Sequence, residues 1–287
     1  MRINHRHTRK LTLTAAATAA LTLGLTACGT ASDPDSGAGS DSSKPLTVGA
    51  SATPHAQILE YVRDNLAADE DLDLKIKVFD DYVLPNTATQ EGEIGANFFQ
   101  HKPHLDDFNK QRDGSLVPVV NVHLEPLGLY SESAKDVKDI KPGQTVAVPN
   151  DATNEGRALK LLADNGLIEL KKGTGTTGTL RDVADAKGLK FKELKAATLP
   201  RSLGEVDAAV INGNYALEAD LKPADDALVL EKAEGNPYTN FLAVKKGNED
   251  DERVEKLAKL LNSDEVRKYI EKEYDDSVLP VFGAVRD

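Results

Sequence analysis

Cysteine occurs once in the 287 residues, at position 28. No disulfide can therefore close within the chain, and its stability must come from a buried core. Cations are scarce beside anions, with 35 Lys and Arg against 47 Asp and Glu. Neutralising phosphates needs clustered positive charge, so this balance argues against nucleic-acid binding. After residue 28 no apolar run approaches the ~20 residues of a membrane-spanning helix. No Walker-type phosphate loop with its Lys-Ser/Thr pair occurs, and no nucleophile stands with a base in motif form. The expectation is a protein that is not an enzyme and that draws neither energy nor membrane passage from its own chain.

What is present begins at the N-terminus. Arg2, Arg6, Arg9 and Lys10 come without an acidic residue, an apolar run follows from Leu11 to Leu25, and Leu25-Thr26-Ala27-Cys28 closes it on the single cysteine. This is the layout of an export signal, and its apolar part, about fifteen residues, is too short to span a bilayer. The ending resembles the lipobox of bacterial lipoproteins, which implies that residues 1–27 are a leader cut before Cys28. It further implies that Cys28 carries acyl chains such as palmitate, holding the protein at the extracytoplasmic face of the cell membrane. Removal of the leader leaves 31 Lys and Arg against 47 Asp and Glu, a net charge of −16. Residues 29–44 (GTASDPDSGAGSDSSK) contain nothing to pack and read as a solvated tether.

From Lys44 onward short β-branched runs alternate with amphipathic stretches. Leu46 to Ala50 reads as a strand, and Thr53-Pro54 as an N-cap with proline in the first helical position. The helix that follows carries Ile58, Leu59, Val62 and Leu66 on one face, and Leu74 to Phe79 alternates as a second strand, so the three form a parallel βαβ unit. Thr145 to Pro149 reads as a strand and Glu155 to Asp164 as a helix ended by Asn165-Gly166. Asp207 to Ile211 and Phe241 to Val244 read as strands. Val254, Leu257, Leu260 and Leu261 make one helical face, and Ser263 caps a last helix lined by Val266, Tyr269 and Ile270. The fold class is α/β in two lobes, with a cleft between them as the expected place for a small ligand.

Five segments stand out: FDDYVLPN (79–86), ANFFQHKPHL (96–105), VAVPNDATNEGRAL (146–159), LPRSLGEVDAAVINGNYA (199–216) and NPYTNFLAV (236–244). Their order and spacing resemble the methionine-binding lipoprotein family, also called the MetQ or NlpA lipoproteins. The resemblance runs from about Leu46 to the C-terminus. It implies a periplasmic-binding-protein-like fold, with one lobe formed by about 45–124 plus 242–287 and the other by about 125–241. It also implies capture of L-methionine and its delivery to the permease and ATPase subunits of an ABC importer, without a cofactor.

An amino acid enclosed by such a site presents a carboxylate, an ammonium and a side chain, and buried charge must be answered. Arg157 and Asn154 sit at the expected start of a helix, where free N–H groups and the dipole favour an anion. On spacing alone Arg157 reads equally as a solvated helix arginine; the resemblance favours a carboxylate grip. Asn212 follows a buried strand at its carboxyl end, where α/β sheets place ligand contacts, although a turn residue before Gly213 fits as well. In the family the matching asparagine is a principal ligand contact, able to accept from the ammonium and donate to the carboxylate. The resemblance makes Tyr82, Phe99 and His101 an aromatic cage for the thioether; core packing is the plain alternative for Phe99. Tyr238, on the second connection between lobes, is a further candidate. Phe98 and His104 replace, respectively, a small residue found in some relatives and a tyrosine.

Other signals point elsewhere. Gly173 to Gly178 (GTGTTG) matches the dinucleotide fingerprint formally, but it follows LIELKK, a poor buried strand. His101 and His104 with His55 and His123 raise a zinc receptor as an alternative, although a transition metal needs three or four convergent ligands; no metal is expected. The acidic runs at 106–107 and 249–252 read as solvated faces. Receptors for another amino acid, for D-methionine or for a methionine dipeptide stay open, as does a surface interaction lipoprotein that keeps a structural ligand.

Overall fold

The computed structural model describes residues 44–175 and 177–285. The expected leader, Cys28 and the tether up to residue 43 lie outside the described residues. The chain opens with β1 (Leu46–Ala50), α1 (Gln57–Asn65) and β2 (Leu74–Val78). The two strands pair in parallel with Leu46 opposite Leu74 and Ala50 opposite Val78. Ile58, Leu59 and Val62 of α1 are wholly buried against this sheet, as their spacing predicts. The helix start differs from the expectation. Thr53 is extended (φ −131°, ψ 137°) and does not cap, the Thr53–Pro54 peptide is cis, and Ala56 N–H bonds back to the Ser51 carbonyl at 2.9 Å. This irregular turn occupies 52–56 and directs His55 inward, so the regular helix is delayed to Gln57.

Next come α2 (Leu84–Glu91), β3 (Ala96–His101), α3 (Lys102–Arg112) and β4 (Leu116–Leu124). Glu125 to Leu127 carry the chain to β5 (Gly128–Tyr130), β6 (Thr145–Pro149), α4 (Ala152–Asp164), β7 (Glu169–Leu170), β8 (Val183–Asp185) and β9 (Lys190–Leu194). Then follow β10 (Ala208–Ile211), α5 (Gly213–Glu218), α6 (Pro223–Asp226) and β11 (Val229–Leu230). Residues 231–239 lead back to β12 (Asn240–Lys245), α7 (Glu252–Leu261), α8 (Asp264–Tyr274) and β13 (Leu279–Gly283).

Two sheets result. One runs β13-β4-β12-β3-β1-β2, the other β11-β5-β10-β6-β9, and β7 with β8 makes a separate ribbon. Both are mixed: β3 lies between parallel β1 and antiparallel β12, and β10 between parallel β6 and antiparallel β5. The chain passes from one sheet to the other twice, at 125–127 and at 231–239. Each sheet has its own core. Val48, Phe98, Leu242, Leu257 and Ile270 are fully buried in the first, and Val146, Ala158, Leu159, Leu162 and Val210 in the second. The C-terminal face of Val254, Leu257, Leu260 and Leu261 is buried, and Ser263 Oγ accepts from Val266 N–H at 3.3 Å. No helix among the described residues is long and apolar enough to cross a membrane.

Leu159 sits at the centre of the second core with no exposed surface. Leu159→Ala is expected to lower the free energy of unfolding by about 2–5 kcal/mol through lost transfer energy and a residual cavity. Urea unfolding followed by circular dichroism measures it, and a loss below about 1 kcal/mol would contradict this packing.

Candidate functional site

Strand β6 ends at Pro149, and two residues later Asp151 caps α4 by accepting the Asn154 N–H at 3.0 Å. The helix therefore starts three residues before the expected Glu155, and its N-terminal donor is spent on an internal carboxylate instead of being free for an anion. One and a half turns on, Arg157 points into the protein and is 3% exposed. Its Nε donates to Glu231 Oε1 at 2.9 Å and its Nη2 to Glu231 Oε2 at 2.6 Å and to the Glu125 backbone carbonyl at 2.9 Å. The Tyr238 ring lies against the guanidinium, 4.3 Å from centroid to Cζ. Nη1 has no hydrogen-bond partner among the described residues, and Arg157 lines a cavity.

That cavity comprises about 330 Å³ of space, part of it continuous with solvent, between residues of both sheets. Six of the seven predicted site residues line it: Tyr82, Phe99, His101, Asn154, Arg157 and Asn212. Tyr238 does not; it stands behind Arg157 and packs edge-on against His101, with centroids 5.0 Å apart. Asn154 is buried and fully engaged. Its Nδ2 donates to both Asp151 carboxylate oxygens, at 2.9 and 3.1 Å, and its Oδ1 receives Asn212 Nδ2 at 2.8 Å. The consequence for Asn212 is direct: with its amide nitrogen anchored, its Oδ1 is left buried without a partner.

The aromatic wall forms around Tyr82, whose ring centroid lies 6.0 Å from Phe99, 5.9 Å from His104 and 5.0 Å from Tyr215. Its hydroxyl donates to Asn214 Oδ1 at 2.5 Å. His101 is the N-cap of α3, where its Nδ1 accepts the His104 N–H at 3.3 Å. The proton therefore sits on Nε2, which faces Asn154 Oδ1 at 3.3 Å. Burial, reinforced by nearby Arg157, holds the His101 imidazole well below its ordinary pKa, and burial lowers His104 as well. Phe98 points to the other face of β3, into the core, so it does not shape the cavity; His104 does line it.

Sequence reasoning missed Gln100, Glu125, Asn214 and Asn240, all of which line the cavity. Glu125 Oε1 lies 2.7 Å from His123 Nε2 and 3.2 Å from His55 Nε2, and His55 Nε2 lies 3.1 Å from Asn240 Oδ1. A signal did exist: His123 and Glu125 alternate along one extended segment, which puts both side chains on one face. Gly213 lets this packing happen, since a Cβ there would come within 2.7 Å of Glu125 Cβ. Burial lowers His55 to about 4 and His123 to about 3, and it raises Glu125. The four histidines proposed for zinc do not converge. Among the described residues the group with ligating atoms within 4.8 Å of one another is His55, His123 and Glu125, without His101 or His104. The described residues of the Gly173 to Gly178 fingerprint come after two-residue β7 and before a single 3-10 turn, where a dinucleotide site needs a helix. Two larger grooves, near 1,200 Å³ each, lie elsewhere, but they gather no comparable set of buried polar groups.

Two α/β sheets joined by two crossings, with buried polar and aromatic side chains converging between them, define a two-lobed substrate-binding-protein fold with a ligand cleft. The NlpA lipoprotein family model matches residues 46–282, and the chain belongs to that family. It is similar to the membrane lipoprotein TpN32 of Treponema pallidum, 40% identical over 89% of this chain and 91% of the relative. It is also similar to the D-methionine-binding lipoprotein MetQ of Escherichia coli, 42% identical over 83% of this chain and 90% of that one. Among solved structures, a nutrient-binding protein of Burkholderia cenocepacia bound to methionine is 43% identical with a TM-score of 0.80, covering 83% of this chain and all of that one.

The buried imidazoles carry a pH consequence. An unfolded chain protonates its histidines near 6.5, whereas the folded protein leaves His55 and His123 neutral down to about 4 and about 3. The unfolded state thus binds more protons in this window, and stability falls as pH is lowered through it. His101 and His104 act in the same direction, while Glu125, Glu155 and Glu218, raised by burial, oppose them. The urea midpoint is expected to drop steadily between pH 6.5 and about 4. A constant midpoint would show that these imidazoles titrate normally in the folded protein.

Proposed function

We propose that the protein is an extracytoplasmic receptor that captures L-methionine and passes it to the permease of an ABC importer, tethered through a lipid on Cys28. The observation that carries this reading is the pairing of a buried acceptor without a partner, Asn212 Oδ1, with the Arg157 guanidinium, whose Nη1 has no hydrogen-bond partner among the described residues, on the walls of one cleft. A zwitterion supplies one group for each. Arg157 takes the ligand carboxylate, Asn212 accepts from its ammonium, and Asn154 orients Asn212 while Tyr238 backs the guanidinium. Tyr82, Phe99, His101 and His104 form the thioether pocket, where sulfur against ring edges adds ~0.3–1.5 kcal/mol beyond burial. The lobes, residues 45–124 with 242–287 and residues 125–241, close by bending at the two crossings, and no bond is made or broken. The methionine bound to the Burkholderia relative supports the ligand class. The name of the Escherichia coli relative supports D-methionine as a second ligand.

Isothermal titration of protein unfolded and refolded to strip carried-over ligand, with L-methionine, D-methionine, leucine and zinc, tests the reading. Stereoselective methionine binding is expected, and heat with another ligand alone would overturn the specificity. Asn212→Ala is expected to weaken methionine binding by about 1.5–3 kcal/mol, the worth of a hydrogen bond to a charged group. A folded variant with unchanged affinity would remove Asn212 from the site.

A further inference from the structure

A run of buried amides lies behind the side-chain pocket, and no role assigned above uses it. Asn86 and Thr89 of α2 and Asn97 and Gln100 of β3 are all buried, and together they reach His104 in the first turn of α3. The direction of every hydrogen bond in the run follows from one fixed end. The Thr89 hydroxyl donates at 2.8 Å to the Pro85 carbonyl, which can only accept, so toward Asn97 the hydroxyl oxygen must itself accept. It takes Asn97 Nδ2 at 2.7 Å, and the same Nδ2 donates to Asn86 Oδ1 at 3.1 Å. Asn97 Oδ1 is thereby turned to Gln100, whose Nε2 donates to it at 2.9 Å and to Asn86 Oδ1 at 2.6 Å. Gln100 Oε1 is left as an acceptor, taking Asn86 Nδ2 at 2.8 Å and facing His104 Nδ1 at 3.2 Å. His104 must therefore carry its proton on Nδ1. Burial lowers the pKa of this imidazole in spite of the nearby carboxylates of Asp151 and Asp107, so at neutral pH the ring holds that one proton. Its Nε2 is then a bare lone pair. That atom has no hydrogen-bond partner among the described residues and is not enclosed, so it opens on the space the ring lines.

We propose that His104 is a specificity-determining residue, locked by Thr89, Asn97 and Gln100 as an acceptor toward the side-chain pocket, and that the site thereby selects the reduced thioether over its sulfoxide. The proposal rests on the methionine-receptor reading above and adds the group that senses the oxidation state of the sulfur. A thioether asks for no strong hydrogen bond, so it lies against a bare lone pair at little cost. A sulfoxide carries a strong acceptor oxygen. Against His104 Nε2 two acceptors would face each other with no proton between them, and a buried acceptor left unpaired loses its hydration without return. The donors of the adjoining rings are spent, the Tyr82 hydroxyl on Asn214 Oδ1 and His101 Nε2 on Asn154 Oδ1. Thr89, Asn97 and Gln100 act through His104 and are positioning residues. If all three amides of the run were flipped, each donor would still meet an acceptor everywhere but at Thr89. The Thr89 hydroxyl, held by Pro85, thus decides which nitrogen of His104 is bare.

The test sets L-methionine against L-methionine sulfoxide by titration of the full-length protein in detergent, stripped of carried-over ligand. The tautomer is read from long-range proton–nitrogen NMR spectra of protein with labelled histidine, the His104 signal being the one lost in His104→Tyr. Wild type is expected to show Nδ1 protonated and Nε2 bare, and to bind methionine at least about tenfold more tightly than the sulfoxide. Thr89→Val, similar in shape but without the hydroxyl, is expected to populate the other tautomer and to narrow that preference at least about threefold, because a protonated Nε2 can donate to the sulfoxide oxygen. Thr89→Ser keeps the hydroxyl and is expected to behave as wild type. If Thr89→Val retains the wild-type tautomer and preference, the run only ties α2 to β3 and the positioning role falls. His104→Tyr, which puts a hydroxyl in place of the bare acceptor, tests the selection by itself: a narrowed preference is expected, and an unchanged one removes His104 from it. Thermal unfolding of each variant confirms that the fold is intact. A protonated Nε2 in wild type would overturn the proposal. So would wild type binding both ligands alike, the oxygen then finding another donor such as Asn214 Nδ2, which is buried without a partner. Failure of wild type to bind methionine would defeat the receptor reading and this selectivity together, whereas methionine binding without preference over the sulfoxide defeats this proposal alone.

Discussion

The buried guanidinium of Arg157 is the constraint on which the cleft depends. It belongs to a helix of the second sheet's lobe, yet its partners, the Glu231 carboxylate and the Glu125 carbonyl, sit on the two stretches where the chain passes between sheets. A buried ion pair adds little net stability, because desolvation offsets most of the Coulombic gain; what it supplies is position, since any displacement leaves a charge unanswered. Here the position is that of both crossings relative to α4. Tyr238 adds a face for the guanidinium to rest on, which is why a residue that lines no part of the cavity still governs its geometry.

From that anchor the polar groups orient one another in sequence. Asp151 holds the Asn154 amide, Asn154 holds the Asn212 amide, and His101 closes on the same Asn154 oxygen. In a low-dielectric setting such a chain is rigid when satisfied and costly when broken. The atom at its end, Asn212 Oδ1, is left buried without a partner, to be satisfied by something else. A receptor of this kind works through preorganisation: the ordering cost is met on folding, so less of the ligand's interaction energy is spent on arranging the site. The histidines fit the same logic. Burial keeps them neutral, and their neighbours set the tautomers, so they act as directed donors and not as charges.

The elements legible in the sequence are those with one wet face. The helices α1, α7 and α8 show a 3.6-residue spacing because one side meets solvent, and Ser263 announces the last of them by its capping chemistry. β3 gave no such signal. All six of its residues are buried, with Phe98 turned to the core and Phe99 to the cleft, so there was no alternation to read. β4 was missed for a related reason, being enclosed between β13 and β12 with polar residues interspersed. The displaced start of α1 followed from reading Thr53-Pro54 by local capping rules, when the segment instead makes an irregular turn that buries His55.

By itself the sequence determined the α/β class, the reliance on a packed core without disulfides, and the local settings of Arg157 and Asn212. Each follows from composition or from chemistry within a few residues along the chain. Only the tertiary structure decided that the Asn154 side chain is engaged by Asp151 and Asn212, that Tyr238 stands behind Arg157, and that Glu125 lies beside two imidazoles. His55 and Asn240, 185 residues apart, meet at 3.1 Å because β1, β3, β12 and β4 are neighbours in one sheet. Periodicity reports which face of an element is dry; which distant side chains share that dry space is set by how the elements stack, and no local pattern encodes it.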